Sequence, residues 1–281
     1  MLDFLVKIDT NISNVCYNKN MLGNIIGDLA GSIYEYEQIN NCHSVYVKNI
    51  IEDNAFFSDD TILTIAIADA ILSKSSYETK LKEYALKFDN KLPNVKPYFK
   101  TMFSPNFAKW AASNEVGESH GNGAMMRVAP VGFLFNTEEE VKENARLATI
   151  PSHNNAFAIE SAQTIALIIY YARKGLGKKE IKEKLHLNIT KPVVSKFNYT
   201  CEDTIDICLY SFFNSNSFEE AIKTAISFGG DTDTNACIVG GMAEAMCGIE
   251  NSIKQKALGF LPKGFKEVLD KAYKNVKNIH F

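Results

Sequence analysis

Apolar residues that recur at helical spacing run through most of the chain, and this pattern decides its fold class. Side chains three and four positions apart fall on one face of an α-helix, whereas a strand alternates every second residue. The helical pattern is clearest in three sets of residues: Ile26, Leu29, Ala30 and Ile33; Ile62, Ile65, Ala66, Asp69 and Leu72; and Ile159, Ala162, Ile165, Ala166 and Ile169. The sequence therefore predicts an all-α protein.

Strand-like alternation is confined to two short stretches, HSVYVKNII at 43–51 and VVSKFNY at 193–199, and neither has a neighbour that would complete a hairpin. Prolines and glycines cut the rest of the chain into helices of ordinary length. No repeat or low-complexity linker divides the 281 residues. Because a core helix begins naturally after Met21, we expect one compact domain over 21–281, preceded by a peripheral extension at 1–20.

Charge, hydropathy and cysteine usage exclude several classes of protein. The formal net charge is −3 and no basic block of five or more residues occurs, which argues against a nucleic-acid-binding surface. No apolar run approaches the roughly 20 residues of a membrane-spanning helix, and the N-terminus lacks the features of a secretory signal. The six cysteines are scattered without metal-site spacing, as expected of reduced thiols. We therefore expect a cytoplasmic protein that binds a small or anionic ligand.

Oxygen-bearing side chains are concentrated after a glycine pair in FGGDTDTNACIVGG, residues 228–241. The small residues after Thr234 favour a tightly packed helix, so Asp231 and Asp233 fall at a helix N-terminus. Simple capping is the alternative for a single cluster of this kind, but a cap uses only one or two side-chain oxygens. Four oxygen-bearing residues in succession indicate an additional function.

A second acidic helix start occurs in FSDDT, residues 57–61, directly before the apolar segment ILTIAIADAIL. The adjacent carboxylates of Asp59 and Asp60 repel each other unless a cation or a proton lies between them. Hard cations such as Mg²⁺ and Mn²⁺ take oxygen ligands of these types. If the fold brings the two clusters together, their oxygens suffice for two ions roughly 3.5–4 Å apart.

Three glycines, Gly23, Gly27 and Gly31, recur every four residues in the segment from Leu22 to Glu35. This spacing places them on one row of a helix, where they leave a surface bare enough for a second helix to pack closely. Each glycine costs a helix about 1 kcal/mol relative to alanine, so three in register indicate that close approach matters. Glu35 continues the row, and on its own it is either a surface acid or part of a site.

A glycine-rich loop and a histidine complete the set of candidate residues. Gly121, Asn122 and Gly123 form a flexible turn whose exposed backbone N–H groups are of the kind that binds phosphate, although ordinary loops contain the same residues. His153, in the segment IPSHNN, is either a helix-start residue or a ligand contact.

Taken in order, the segments GDLAGSIYE, FSDDT, GNGAMMRVAPVG, SHNN and GGDTDTNA resemble those of the ADP-ribosylglycohydrolase family, from about Met21 to about Leu261. The resemblance implies an all-α fold that holds two Mg²⁺ ions, sometimes Mn²⁺. It also implies cleavage of ADP-ribose from a protein side chain, a nucleic acid or a small acceptor. By motif position, the implied metal ligands are Ser58, Asp59, Asp60, Asp231, Asp233 and Thr234.

The resemblance also implies roles for the remaining candidates. Glu35 matches an acid beside the metals, and either Glu35 or Asp60 would accept a proton from the attacking water. The loop at 121–123 matches the segment near the ribose and diphosphate, and His153 matches a histidine near the phosphates. The departures are modest. Ser58 stands where threonine is commoner, Met125 and Cys237 occupy positions that are usually small, and the asparagine pair at 154–155 stands where the family often has His-Pro.

Two alternatives to such a hydrolase stay open on the sequence. One is a catalytically silent module that binds ADP-ribose or a nucleotide on the same scaffold, and the other is a two-metal hydrolase of a different nucleoside or phosphate compound. Nucleic acid enters only as a possible ADP-ribosylated acceptor. The residue pattern identifies neither the acceptor that is released nor the oligomeric state.

Overall fold

The computed structural model describes residues 21–88 and 98–278, and every regular element within these ranges is a helix. In chain order the helices are α1 (Gly23–Gln38), α2 (Asp59–Ser73), α3 (Tyr77–Lys87), α4 (Pro105–Ala111), α5 (Gly123–Met126), α6 (Ala129–Leu134), α7 (Glu138–Thr149), α8 (Ala156–Arg173), α9 (Lys178–Lys184), α10 (Cys201–Phe213), α11 (Phe218–Ser227), α12 (Thr232–Cys247), α13 (Asn251–Phe260) and α14 (Lys263–Asn278). The all-α prediction is confirmed, whereas the predicted extension at 1–20 lies outside the described residues.

The two strand-like stretches do not form strands. Residues 43–51 and 193–199 are irregular, and two isolated β-bridges are the nearest approach to a sheet in the described part of the chain. In the first stretch Val47 is buried at 6% exposure while Tyr46 is 87% exposed, but neither stretch pairs with a second strand among the described residues. A short extended segment without a partner strand is not stable as a sheet.

The central helix pair of the fold is α1 and α12, which pack along the glycine row. A Cβ atom at Gly27 would lie 2.0 Å from the carbonyl oxygen of Ala236, and one at Gly31 would lie 2.2 Å from that of Thr232. The close packing predicted from the glycine spacing is therefore confirmed, and the two backbones touch. Because the partner numbers fall as the glycine numbers rise, the helices are antiparallel. The end of α1 that carries Glu35 consequently meets the start of α12.

One buried carboxylate fastens the start of α2 to α1. Asp28 Oδ2 accepts hydrogen bonds from Ser58 N at 2.9 Å, from Thr61 N at 3.1 Å and from Thr61 Oγ1 at 2.5 Å. One turn further along α1, Ser32 Oγ accepts from Phe56 N at 3.2 Å. These bonds satisfy N–H groups that a helix start leaves without intrahelical partners. They hold the second acidic segment against α1.

Helix α8 packs against α5, α6, α7, α10 and α12, and the loops beside it are tied together through their backbones. Ser119 N donates to Ser152 O at 3.1 Å, and Asn122 N donates to Tyr199 O at 2.9 Å. These bonds join the loop before α5 to the segments that precede α8 and α10. The 117–123 loop is thereby placed over the N-termini of α2 and α12, where all three line one cavity.

Within residues 21–88 and 98–278, none of the helices combines the length and the apolar character that crossing a bilayer requires. The cysteines in these ranges are free thiols, as predicted: Cys42, Cys201, Cys208, Cys237 and Cys247. Burial, followed by the charge of Asp60, raises the pKa of the Cys237 thiol. A neutral thiol is a poor nucleophile.

Candidate active site

The two acidic helix starts identified in the sequence meet at the floor of one cavity. Thr234 Oγ1 on α12 donates a hydrogen bond to Asp60 Oδ2 on α2 over 3.3 Å. The cavity above them has a volume of about 730 Å³. Its floor is lined by the oxygen-bearing side chains of Glu35, Asp59, Asp60, Asp231, Asp233 and Thr234. The two clusters therefore share one site, although they lie far apart in the sequence.

Glu35, Asp231 and Asp233 form a tight group of acids on this floor. One carboxylate oxygen from each lies within 4.8 Å of the other two, and all three residues are buried. Glu35 is only 7% exposed, so the surface-acid alternative is wrong. The antiparallel packing explains its position: Glu35 lies one turn beyond Gly31, at the point where α12 begins.

N-capping does not explain the acids of either helix start. Ser58 is the N-cap of α2: its Oγ accepts from Asp60 N at 3.1 Å and donates to Asp60 Oδ2 at 3.0 Å. Ser58 is fully buried and, unlike Asp59 and Asp60, is not among the residues that line the cavity. Asp231 occupies the N-cap position of α12, but its side chain makes no capping hydrogen bond. Asp231 Oδ2 accepts instead from Asn122 Nδ2 at 2.7 Å, across the cavity floor.

Burial and mutual repulsion raise the pKa values of the acids at the floor. Burial is the largest cause at Asp60, whose pKa lies well above its usual value, and the charges of Asp233 and Asp28 raise it further. The pKa of Asp231 is also raised well above its usual value, first by burial and then by the charges of Asp233 and Glu35. Buried carboxylates this close together need either protons or a cation between them.

The chemistry of these side chains fits a hard divalent cation. Carboxylate and hydroxyl oxygens are the ligands that Mg²⁺ and Mn²⁺ prefer. Asp60 Oδ1 is buried and has no hydrogen-bond partner among the described residues. A buried polar atom without a partner is costly, and a cation at this position would remove that cost. The acidic floor could therefore hold a metal ion.

Asp28 is a buried acid at this site that our sequence analysis did not select. It is fully buried, and its pKa is raised to about 7, first by burial and then by the charge of Asp233. The sequence feature that could have revealed it is its distance from Glu35: Asp28 precedes Glu35 by two helical turns and so falls on the same face of α1. Its surroundings of apolar residues made it look like an isolated polar position.

Comparison with known proteins identifies the family. Residues 19–278 match the family model described as ADP-ribosylglycohydrolase. The chain belongs to the ADP-ribosylglycohydrolase family. ADP-ribosylhydrolase ARH3 of Mus musculus is 22% identical over 85% of this chain and 86% of the relative. ADP-ribosylarginine hydrolase Tri1 of Pseudomonas putida is 21% identical over 82% of this chain and 70% of the relative.

A solved structure titled "ADP-ribosylglycohydrolase-related protein complex" shares the fold. It superposes with a TM-score of 0.68 at 19% identity and covers 92% of this chain and 96% of its own. The family resemblance inferred from the motifs is confirmed, and the chain is an enzyme, a hydrolase of the ADP-ribosylglycohydrolase type.

The glycine-rich loop at 121–123 lines the cavity of this ADP-ribosylglycohydrolase, but it is less open than predicted. Gly121 N donates to Ser119 Oγ at 3.0 Å, and Asn122 N donates to Tyr199 O at 2.9 Å. The expectation of freely exposed N–H groups is therefore wrong at these two positions. The partners come from a neighbouring residue and from a distant loop, and only the folded chain brings that loop close.

His153 lines the same cavity and is 4% exposed. Its ring Nε2 lies 3.6 Å from the position of a Cβ at Gly121 and 3.4 Å from that of a Cβ at Gly123. The histidine and the glycine-rich loop thus form one wall. The helix-start alternative is wrong for His153, because Asn155 is the residue that caps α8.

Aromatic side chains supply much of the remaining lining. Those that face the cavity are Phe99, Phe103, Phe107, Trp110, Phe197 and Tyr199. Phe99 meets Tyr36 edge-on at 5.6 Å, and Tyr98 stacks on Tyr36 at 5.4 Å. Since Tyr36 follows Glu35 directly, these rings hold the 98–99 segment beside the acidic floor. Aromatic walls of this kind bind the planar and apolar parts of a ligand.

Proposed function

We propose that this enzyme is a metal-dependent ADP-ribosylhydrolase that cleaves the bond between the distal ribose of ADP-ribose and a protein side chain or small acceptor. The observation that carries the proposal is the convergence of two acidic helix starts and Glu35 on the floor of one cavity. The names of the relatives, ADP-ribosylhydrolase and ADP-ribosylarginine hydrolase, support this substrate class. Nucleic acid would take part only as an ADP-ribosylated acceptor. A cytoplasmic location stays a prediction.

The proposed cofactors are two Mg²⁺ ions, for which Mn²⁺ could substitute. Their ligands would be Ser58, Asp59 and Asp60 at the start of α2, and Asp231, Asp233 and Thr234 at the start of α12. The oxygen-only set of donors and the raised pKa values of Asp60 and Asp231 support this assignment. When bound, such ions lower the pKa of water and stabilise negative charge on nearby oxygens.

The protein's own side chains would position the substrate and accept a proton. A water oxygen attacks the anomeric carbon of the distal ribose, the bond from that carbon to the acceptor breaks, and the acceptor leaves with a proton. Glu35 and Asp60 are the two candidates for taking the proton of the water, because both lie on the cavity floor. The loop at 121–123 and His153 would contact the ribose and the diphosphate.

Release of free ADP-ribose tests this proposal directly. The purified protein would be incubated with ADP-ribosylated arginine, ADP-ribosylated serine and ADP-ribosylated small molecules, with Mg²⁺ and with excess EDTA. We expect release from at least one substrate, and only with the metal. Calorimetry with ADP-ribose on the same sample provides the second readout. Binding heat without release from any substrate would indicate a silent binding module, and full turnover in EDTA would exclude the metal-dependent mechanism.

A further inference from the structure

Arg127 is a fully buried cation among the residues that line the same cavity, next to the wall formed by His153 and the glycine-rich loop. Its Nη2 donates to Ala148 O at 3.2 Å and to Ser152 Oγ at 2.7 Å. Its Nε and Nη1 have no hydrogen-bond partner among the described residues. A buried charge with so few partners destabilises a fold. Packing alone therefore gives no reason for an arginine at this position.

Ser152 connects Arg127 to His153. Its Oγ lies 2.7 Å from Arg127 Nη2 and 2.8 Å from His153 Nδ1. A guanidinium group can only donate hydrogen bonds, so Ser152 Oγ must accept from Arg127. The hydroxyl proton of Ser152 is then available for the second neighbour. No other acceptor for this proton is found in the described part of the chain, so Ser152 donates to His153 Nδ1.

This donation determines where His153 carries its own proton. Burial, together with the positive charges of Arg127 and His120, lowers the pKa of His153 well below its usual value, so the ring is neutral. A neutral imidazole has one N–H donor and one acceptor nitrogen. Since Nδ1 accepts from Ser152, the proton is on Nε2. Nε2 is the atom beside Gly121 and Gly123 in the cavity wall.

We infer that Arg127 is a positioning residue which, through Ser152, holds His153 in the Nε2–H tautomer, with this N–H serving as a donor to the anionic part of the substrate. The identity of that anion, the diphosphate of ADP-ribose, rests on the proposed function. The opposite tautomer would present a lone pair to the phosphate oxygens, which repel it. Arg127 thus contributes to binding through Ser152 and His153.

The tautomer is measured in the free protein, so its test does not depend on the proposed function. Long-range ¹H–¹⁵N NMR on the labelled full chain distinguishes the two ring nitrogens, and His153→Gln identifies the His153 signals among those of the five histidines. We expect a neutral ring at pH 7 with its proton on Nε2. A proton on Nδ1, either alone or in a doubly protonated ring, would overturn the inference.

Ser152→Ala tests the connection, with Ser211→Ala as the matched control. Ser211 is also fully buried, but its Oγ donates to Ile207 O within α10, away from the cavity. We expect Ser152→Ala to mix the two tautomers of His153 and to weaken ADP-ribose binding about twofold, because the apparent Kd rises as the inverse of the fraction that carries the proton on Nε2. Ser211→Ala should change neither. If the two variants had the same affinity for ADP-ribose and the same His153 tautomer, the inference would be overturned.

Arg127→Met tests the origin of the effect, because it removes the cation while filling much of the same volume. We expect it to mix the tautomers and weaken ADP-ribose binding as Ser152→Ala does. A pure Nε2–H tautomer with wild-type affinity would show that Arg127 is not needed. If this variant does not fold, the inference is still tested by the NMR measurement of the wild-type tautomer and by the Ser152→Ala variant. Absence of ADP-ribose binding by the wild type with Mg²⁺ would instead refute the proposed function and leave the tautomer result standing.

Discussion

The contact between α1 and α12 predicts a specific effect of adding one methyl group, in the variant Gly31→Ala. The new Cβ would lie 2.2 Å from Thr232 O and 2.4 Å from both N and Cα of Asp233, whereas ordinary contacts begin near 3.4 Å. The two helices must therefore separate by about 1 Å, the difference between these distances. All three neighbouring atoms belong to the backbone, so no side-chain rotation can relieve the clash.

The magnitude follows from two opposing effects. Overpacking of this kind destabilises a protein by about 1–3 kcal/mol or more, while alanine favours a helix over glycine by about 1 kcal/mol. The difference is a net loss of about 0–2 kcal/mol, and we expect the upper end, about 2 kcal/mol, because the clash is with backbone atoms. The effect on turnover should be larger, because Asp233 and Glu35 lie on either side of the widened contact. A misplacement of about 1 Å lowers rates about hundredfold.

Urea unfolding and the release of ADP-ribose measure the two effects, and Gly259→Ala is the matched control. Gly259 lies in α13, and a Cβ there would meet no atom within 4 Å. The control should keep wild-type turnover and be as stable as the wild type or slightly more so. If Gly31→Ala matched Gly259→Ala in both measurements, the close contact would not be what positions the acids.

Asp233→Ala should abolish turnover and weaken ADP-ribose binding, whereas the exposed variant Asp53→Ala should change neither; equal rates in the two would contradict the metal site. Glu35→Gln should lower turnover and leave ADP-ribose binding largely intact in calorimetry, and wild-type kinetics would remove Glu35 from the mechanism. In EDTA, Asp28 keeps its proton in the fold up to about pH 7 but ionises near 3.8 when unfolded, so stability should fall by about 4 kcal/mol as the pH rises between these values. Urea unfolding would detect this slope, which Asp28→Asn should make shallower but not remove, because the pKa values of Asp60 and Asp231 are raised as well. Deletion of residues 1–20 should leave folding and activity unchanged, and a chain starting at Met21 that failed to fold would refute this.

Much of the site could be predicted because its residues are clustered in short motifs. Asp59 and Asp60 are adjacent, and Asp231 and Asp233 are separated by one residue, so each group was visible as an excess of oxygen at a helix start. The glycine row was equally visible, since its period matches the helix. That a second helix would pack on this row followed from the spacing.

Other parts of the site depend on residues that carry no local signal. Asp28 stands singly among apolar residues, and its partners Ser58 and Thr61 lie in the next helix. Arg127 belongs to a recognised segment, but nothing near it in the sequence points to Ser152. The loop N–H groups of Gly121 and Asn122 were expected to be free because the sequence does not show which acceptors the fold brings next to them.

The sequence by itself determined the helical class, the two acidic helix starts and the glycine face that allows backbone contact, because each arises from residues within a few turns of one another. Only the tertiary structure decided that α12 runs antiparallel to α1. That direction places Glu35 beside Asp231 and Asp233 instead of at the far end of the pair. The physical reason is that periodicity specifies which face of a helix is buried but not which helix covers it, or in which direction.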